Sequence, residues 1–157
     1  MTGEVGSALL SAKRRTGDGV TSNLRWLGSM SVGVTEFDDD HKRVIVMLRE
    51  ITDAIGRGDR HLAHETSLTL LKLAGDHVER EEAFLSRIRF PGTRTVITAQ
   101  KASLANIVAL ADKILADPDH ATEAAAAMGR AFIEYLLRAD INFKSYVDAA
   151  GLRDVAD

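Results

Sequence analysis

The segment HVEREEAFL, which begins at His77, contains the residues with the clearest capacity for chemistry. His77 and Glu81 are four residues apart, so on a helix their side chains would lie on the same face. Such pairs are commonly solvated ion pairs that contribute little to stability. An imidazole and a carboxylate are also ligands of divalent first-row metals. The pair by itself therefore leaves open an ion pair and half of a metal site.

His41 and Asp140 are the other candidates for such a site. A single histidine on an apolar face is often a core residue hydrogen-bonded to a neighbour. Asp140 lies among apolar residues in LLRADINF, where an ion pair with a nearby Arg or Lys is an equally good interpretation. The other histidines, His61, His64 and His120, are interpreted as surface residues. The acidic run at residues 38–40 is interpreted as helix capping and compensation of the helix dipole.

Composition narrows the possible functions of the 157-residue chain, whose length suggests one domain. With a net charge of −3, the chain lacks the excess of basic residues that is typical of nucleic-acid-binding proteins. There is no cysteine, so disulfides and thiolate metal sites are excluded, and a metal would need His, Asp, Glu, Tyr or backbone oxygen. No apolar run is long enough for a membrane span, and residues 1–19 lack the basic start and long apolar segment that are typical of a secretory signal. A cytoplasmic protein without a membrane partner is predicted.

The elements that must position these residues are helices. Residues 1–25 are rich in Gly, Ser, Thr and basic residues and are predicted to be a flexible tail. Residues 26–37 are predicted to form an ordered arm across the ends of the domain. Apolar residues then recur at steps of three and four over about residues 38–55, 59–89, 93–115 and 121–149. The domain is predicted to span residues 26–151, with a C-terminal tail over residues 152–157.

Four long helices with short connections pack most simply as an all-α, up-down-up-down four-helix bundle. His41 and His77 lie on apolar stripes and should face the interior. Glu81 shares its stripe with Leu70 and Phe84, so we expect it to be at least partly buried. Because burying an unpaired carboxylate costs several kcal/mol, a cation beside Glu81 would remove a penalty.

Two motifs, in this order, resemble those of bacterial hemerythrin domains over about residues 26–147. The first segment, W…MSVGVTEFDDDHKRV, is similar to the family's Trp, SVGV-like arm and Asp-x-x-His-Lys motif. The second segment, HVEREEAFLSRIRFP, is similar to the family's His-x-x-x-Glu-Glu motif and aromatic-Pro turn. The resemblance implies a bundle that holds two irons with five histidines and two bridging carboxylates. It matches His41 to the first-helix ligand, His77 to the second-helix histidine and Glu81 to a bridging carboxylate.

The sequence departs from the family pattern after the proline turn. The family's third-helix His-x-x-x-His, counted from Pro91, falls on Val96 and Gln100. Both positions lie on the inward stripe, so the register fits while both histidines are missing.

The fourth helix loses its histidine as well. The family's His-x-x-x-x-Asp falls on Tyr135 and Asp140 if Phe143 and Tyr146 are its downstream aromatic residues. A second register would instead put Asp140 at the histidine position and Ser145 at the Asp position. The first register is preferred because it keeps the aromatic residues.

The missing histidines all belong to one of the family's two irons. The surviving set is His41, His77, Glu81 and Asp140, and it predicts a mononuclear site. Non-heme iron suits these ligands, and zinc or manganese is also possible.

Two further side chains are expected beside the metal and are assigned to cofactor binding. Gln100 could hydrogen-bond a bound water or a carboxylate. Tyr135 could donate a hydrogen bond to Glu81 or Asp140, or bind Fe(III) as a phenolate.

Because the family's reversible dioxygen binding uses both irons, the resemblance implies altered or lost oxygen carriage. The first hypothesis is a one-metal oxygen, redox or iron sensor, or a store, with a small ligand such as dioxygen at the metal. The alternative is a metal-free bundle that acts as a protein-interaction or regulatory domain. A mono-iron enzyme is a weaker third reading, since no nucleophile, phosphate loop or substrate motif supports it, and the chain is not predicted to be an enzyme.

Overall fold

The computed structural model of the protein describes residues 23–139 and 143–152. Its four long helices are α1 (Thr35–Gly56), α2 (Arg60–Arg87), α3 (Thr93–Ala116) and α4 (Ala121–Ala139). Each packs against the next in an all-α, up-down-up-down bundle, and α1 also contacts α4. A short helix, α5 (Ser145–Ala149), follows. The fold class predicted from the sequence is confirmed.

Short turns set the antiparallel order of the helices. The turn after α1 contains Gly58, whose φ of +80° is a left-handed conformation that glycine adopts at little cost. Asp59 then caps α2 by accepting a hydrogen bond of 3.0 Å from the Leu62 amide. Between α2 and α3, Pro91 cannot continue a helix, and α3 begins two residues later at Thr93.

The N-terminal arm is ordered and packs against the bundle, with Val32 and Val34 buried. The predicted capping role of Asp38 is wrong, because α1 begins three residues earlier at Thr35. The Asp38 carboxylate accepts hydrogen bonds from the Val32 amide (2.9 Å) and the Ser31 hydroxyl (2.5 Å). Asp38 therefore ties the arm to the first turn of α1.

The core has two parts, and the buried histidines contact both. One cluster includes Met128 and Phe132 of α4, and the other includes Phe37. The Phe37 ring meets the His77 ring edge-on at 5.3 Å, and the Phe132 ring lies 6.1 Å from the His41 ring. Apolar surroundings of this kind exclude water from a polar site.

One apolar residue near the start of α2 faces away from the core. Leu62 is 42% exposed, and its neighbour Ala63 is buried instead. Leu62 lies eight residues before Leu70, which at 100° per residue turns it about 80° away from the buried face.

In the described part of the chain, no helix combines the length and apolarity that crossing a membrane requires.

Candidate metal centre

α1 and α2 bring His41 and His77 together inside the bundle. The two side chains are 2% and 4% exposed, and their ring centroids are 4.8 Å apart. Both face the interior, as their positions on apolar stripes predict. His41 lies one turn before Val44 and two before Leu48, which are both core residues, so the packing of α1 fixes its direction.

The imidazole of His41 is a buried polar group without a partner. Neither Nδ1 nor Nε2 has a hydrogen-bond partner among the described residues. Burial, and to a lesser degree the nearby His77, lowers the pKa of His41 from 6.5 to about 3. His41 is therefore a neutral imidazole at physiological pH, which is the form that binds a metal.

His77 has the opposite environment, because both of its ring nitrogens face carboxylates. Nδ1 lies 3.1 Å from Asp40 Oδ2, and Nε2 lies 2.9 Å from Glu81 Oε2. Burial alone would lower the pKa of His77, but the hydrogen bonds and charges of Glu81 and Asp40 outweigh burial and raise it. The ring is thereby held in one orientation between α1 and its own helix.

Glu81 is the centre of a polar network that joins three helices. Its side chain is buried, as its position in the stripe predicts. Oε2 accepts hydrogen bonds from Gln100 Nε2 of α3 at 2.9 Å and from the Tyr135 hydroxyl of α4 at 3.0 Å. Gln100 Nε2 also donates to the Tyr135 hydroxyl at 2.8 Å, which closes the network.

Tyr135 is held as a protonated phenol in this arrangement. Burial raises its pKa well above the usual value of 10, and the charge of Glu81 raises it further. The hydroxyl therefore donates to Glu81, one of the roles that the sequence suggested. Gln100 is 2% exposed, and its Oε1 atom has no partner among the described residues.

Asp40 and Arg80 belong to the site but were not recognised from the sequence. Asp40 is buried, and besides His77 it accepts a hydrogen bond of 2.7 Å from Arg80 Nη2. Arg80 also pairs with Glu36 on the surface. Asp40 lies three residues after Phe37 and four before Val44, so the inward stripe of α1 was the signal that could have found it.

Of the remaining candidates, those that the structure describes lie outside the cluster. Asp140 lies outside the described residues, so its assignment remains a prediction. Val96 is half-buried and packs against the second core cluster. His61 and His120 are exposed, and His64 is half-buried 3.8 Å from Asp112, outside the site.

The donor set can be compared with the needs of a metal ion. Within the described part of the chain, no three His, Cys, Asp or Glu side chains are already arranged to hold one ion. His77 Nε2 and Glu81 Oε2 nevertheless lie 2.9 Å apart. Two atoms that are each about 2.1 Å from an ion, at right angles, are about 3 Å apart. An ion here would replace their hydrogen bond, with His41 as the free imidazole beside it.

Comparison with known proteins adds no family assignment. No protein-family model, curated protein or solved structure matches the chain. The four-helix bundle, together with its buried His, Glu, Gln and Tyr cluster, is therefore the basis for any functional conclusion.

Proposed function

We propose that this chain is a hemerythrin-like protein that binds one divalent metal ion inside its bundle, most simply iron, through His41, His77 and Glu81. The resemblance adds Asp140 as a fourth ligand. The observation that carries the proposal is the buried imidazole of His41, which has no hydrogen-bond partner among the described residues.

An unpartnered buried polar group costs roughly 1–3 kcal/mol of stability. His41 has two such nitrogens, and it touches the ring of His77. A metal ion bound by one nitrogen would offset this cost in a way that no neighbouring side chain among the described residues does. The neutral state of His41 suits this role, because a ligand imidazole must be unprotonated.

A metal bound by two imidazoles and carboxylates supplies a Lewis-acidic and, for iron, a redox-active centre. The protein's own residues hold and shield that position. Asp40 accepts a hydrogen bond at His77 Nδ1 and so directs Nε2 toward Glu81. Gln100 and Tyr135 fix the carboxylate of Glu81 from the other side.

The absence of histidine at Val96, Gln100 and Tyr135 favours one metal over two. The family's reversible oxygen binding depends on two irons that each give up one electron. A single iron could not bind oxygen in that way. A sensor of oxygen, redox state or iron, or an iron store, therefore fits the ligand set better than an oxygen carrier. These roles and a cytoplasmic location are part of the proposal.

The test is the metal content per chain of protein purified from iron-replete cells, and again after anaerobic Fe(II) loading. We expect close to one ion per chain in the wild type and loss of the ion in His77→Ala. His64→Ala is the matched control, because His64 is on the same helix but outside the cluster. Two ions per chain would contradict a mononuclear site, and none after loading would refute metal binding.

A metal-free bundle is the second candidate, and the closed network favours it. Glu81 already has three hydrogen-bond partners, from His77, Gln100 and Tyr135, so its charge is compensated without an ion. In that case the fold would serve as an interaction or regulatory domain with a protein partner. Absence of metal after loading, with a folded and stable chain, would select this candidate.

A further inference from the structure

A groove on the surface between α3 and α4 leads toward the buried histidines. It encloses about 370 Å³ and is lined by Gln100 and Tyr135 as well as by the small side chains of Ala99, Ser103 and Ala131. Through Gln100 and Tyr135 the groove therefore reaches the buried polar network.

A second, smaller space lies behind this groove. It has a volume of about 40 Å³, mostly apolar walls, and a lining that includes His41, His77 and Met128. Ser103, Ala131 and Tyr135 line both the groove and this inner cavity. These three side chains therefore lie between the groove and the inner cavity.

We propose that small neutral molecules reach the interior through the α3–α4 groove, past Ser103, Ala131 and Tyr135, and occupy the cavity beside His41. A space of about 40 Å³ exceeds the roughly 10–15 Å³ that one water molecule requires and suits a molecule of about two or three heavy atoms. Charged molecules are disfavoured because apolar walls cannot replace their hydration.

The imidazole of His41 is a polar group that a small molecule could contact at the inner end of this route. His41 lines the inner cavity, and neither of its ring nitrogens has a hydrogen-bond partner among the described residues, so a small molecule there would meet a neutral hydrogen-bonding group. The biological use of the route rests on the proposed metal function. The route itself depends only on α3 and α4, and it is tested on metal-free protein.

Met128 is a natural reporter of access, since it lines the cavity and is 0% exposed. Hydrogen peroxide is a neutral molecule of two heavy atoms that transfers one oxygen atom to a thioether sulfur and leaves as water. Chelator-treated protein would be exposed to hydrogen peroxide or to the bulkier tert-butyl hydroperoxide. Sulfoxide at Met128 and at half-buried Met47 would be followed by peptide mass spectrometry.

We expect hydrogen peroxide to oxidise Met128 and tert-butyl hydroperoxide to leave it intact while oxidising Met47. Ala99→Phe fills the groove from an exposed position, and it should slow Met128 oxidation by about tenfold without changing Met47. Ala105→Phe is the matched control on the outer face of α3, and Thr95→Trp is a second groove-filling variant if Ala99→Phe folds poorly.

Two results would overturn the inference. One is Met128 oxidation that is equally slow with both peroxides, which would mean that it occurs only on global unfolding. The other is an unchanged rate in both groove-filling variants. Either result leaves the metal content per chain untouched, so failure of the route and failure of the metal site are read separately.

Discussion

At the scale of single residues, His41 is the least compensated group in the described part of the site. Every other polar side chain of the cluster has at least one hydrogen bond, whereas neither nitrogen of His41 has one with the described residues. Evolution toward stability alone would favour an apolar residue at such a position. His41 is therefore the residue at which function and stability of the metal-free chain are expected to conflict.

Replacing His41 by leucine should stabilise the metal-free protein by roughly 1–3 kcal/mol, because the unpaired nitrogens are removed. The pKa of His41 falls from 6.5 to about 3 on folding. Below pH 6.5 the unfolded chain therefore binds a proton that the folded chain takes up only near pH 3, and stability is lost as the pH falls. The advantage of His41→Leu should grow by roughly 2 kcal/mol between pH 7.5 and pH 5.

Urea unfolding in the presence of a chelator at the two pH values measures this effect. His61→Leu is the control, because His61 is exposed and its replacement should change stability little. A less stable His41→Leu protein at both pH values would mean that the imidazole has a partner in solution.

Removing the hydroxyl of Tyr135 tests the network around Glu81. Tyr135→Phe deletes a donor to Glu81 and an acceptor for Gln100, so we expect a loss of about 1–2 kcal/mol in the free energy of unfolding. Glu134→Gln, one residue earlier on the exposed face, should have almost no effect, since its contact with Arg138 is 4.0 Å long. Equal stabilities of Tyr135→Phe and wild type would show that the network contributes nothing.

The site residues were predictable from the sequence to different degrees. The positions of His41, His77 and Glu81 on apolar stripes placed them correctly in the interior. Asp40 was missed because an acidic run at the start of a helix has a simpler explanation in capping. The inward stripe of α1 could have indicated that Asp40 is buried, but its partners His77 and Arg80 come from the neighbouring helix and are seen only in the structure.

At the scale of elements, periodicity placed the first three long helices, and the start of the fourth, to within a few residues. The start of α1 was placed too late because Asp38 resembled an N-cap. The hydrogen-bond donors to Asp38 come instead from the N-terminal arm. Such long-range contacts cannot be read from local propensity. The predicted fourth helix extends to residue 149, and the described residues are helical over Ala121–Ala139 and Ser145–Ala149.

Asp38→Ala should release the arm from α1. The carboxylate is the acceptor for the Val32 amide and the Ser31 hydroxyl, so its removal leaves a buried backbone donor unpaired. We expect a loss of roughly 2 kcal/mol and faster proteolysis near Ser31. Asp39→Ala is the matched control, since Asp39 is exposed and forms a surface ion pair with Lys42. Equal behaviour of the two variants would contradict the tethering role of Asp38.

At the scale of the whole molecule, a bound ion would link α1 to α2 and so stabilise the folded state. Zinc is a suitable probe because it accepts the same ligands and is not redox-active. A ligand at 100 times its dissociation constant adds about 2.7 kcal/mol, which is roughly 5–10 °C in Tm for a chain of this size. Wild-type protein should therefore show a Tm that rises with zinc concentration.

The same titration on His41→Leu separates the two candidate functions. This variant should be the more stable protein without zinc and should fail to respond to it, so the two Tm curves would cross as zinc is added. His64→Leu should respond like the wild type, because His64 lies outside the cluster. A rise of equal size in His41→Leu would place the zinc elsewhere. A wild-type Tm that stays constant at millimolar zinc would favour the metal-free bundle, since ligands that bind only the folded state must raise its stability.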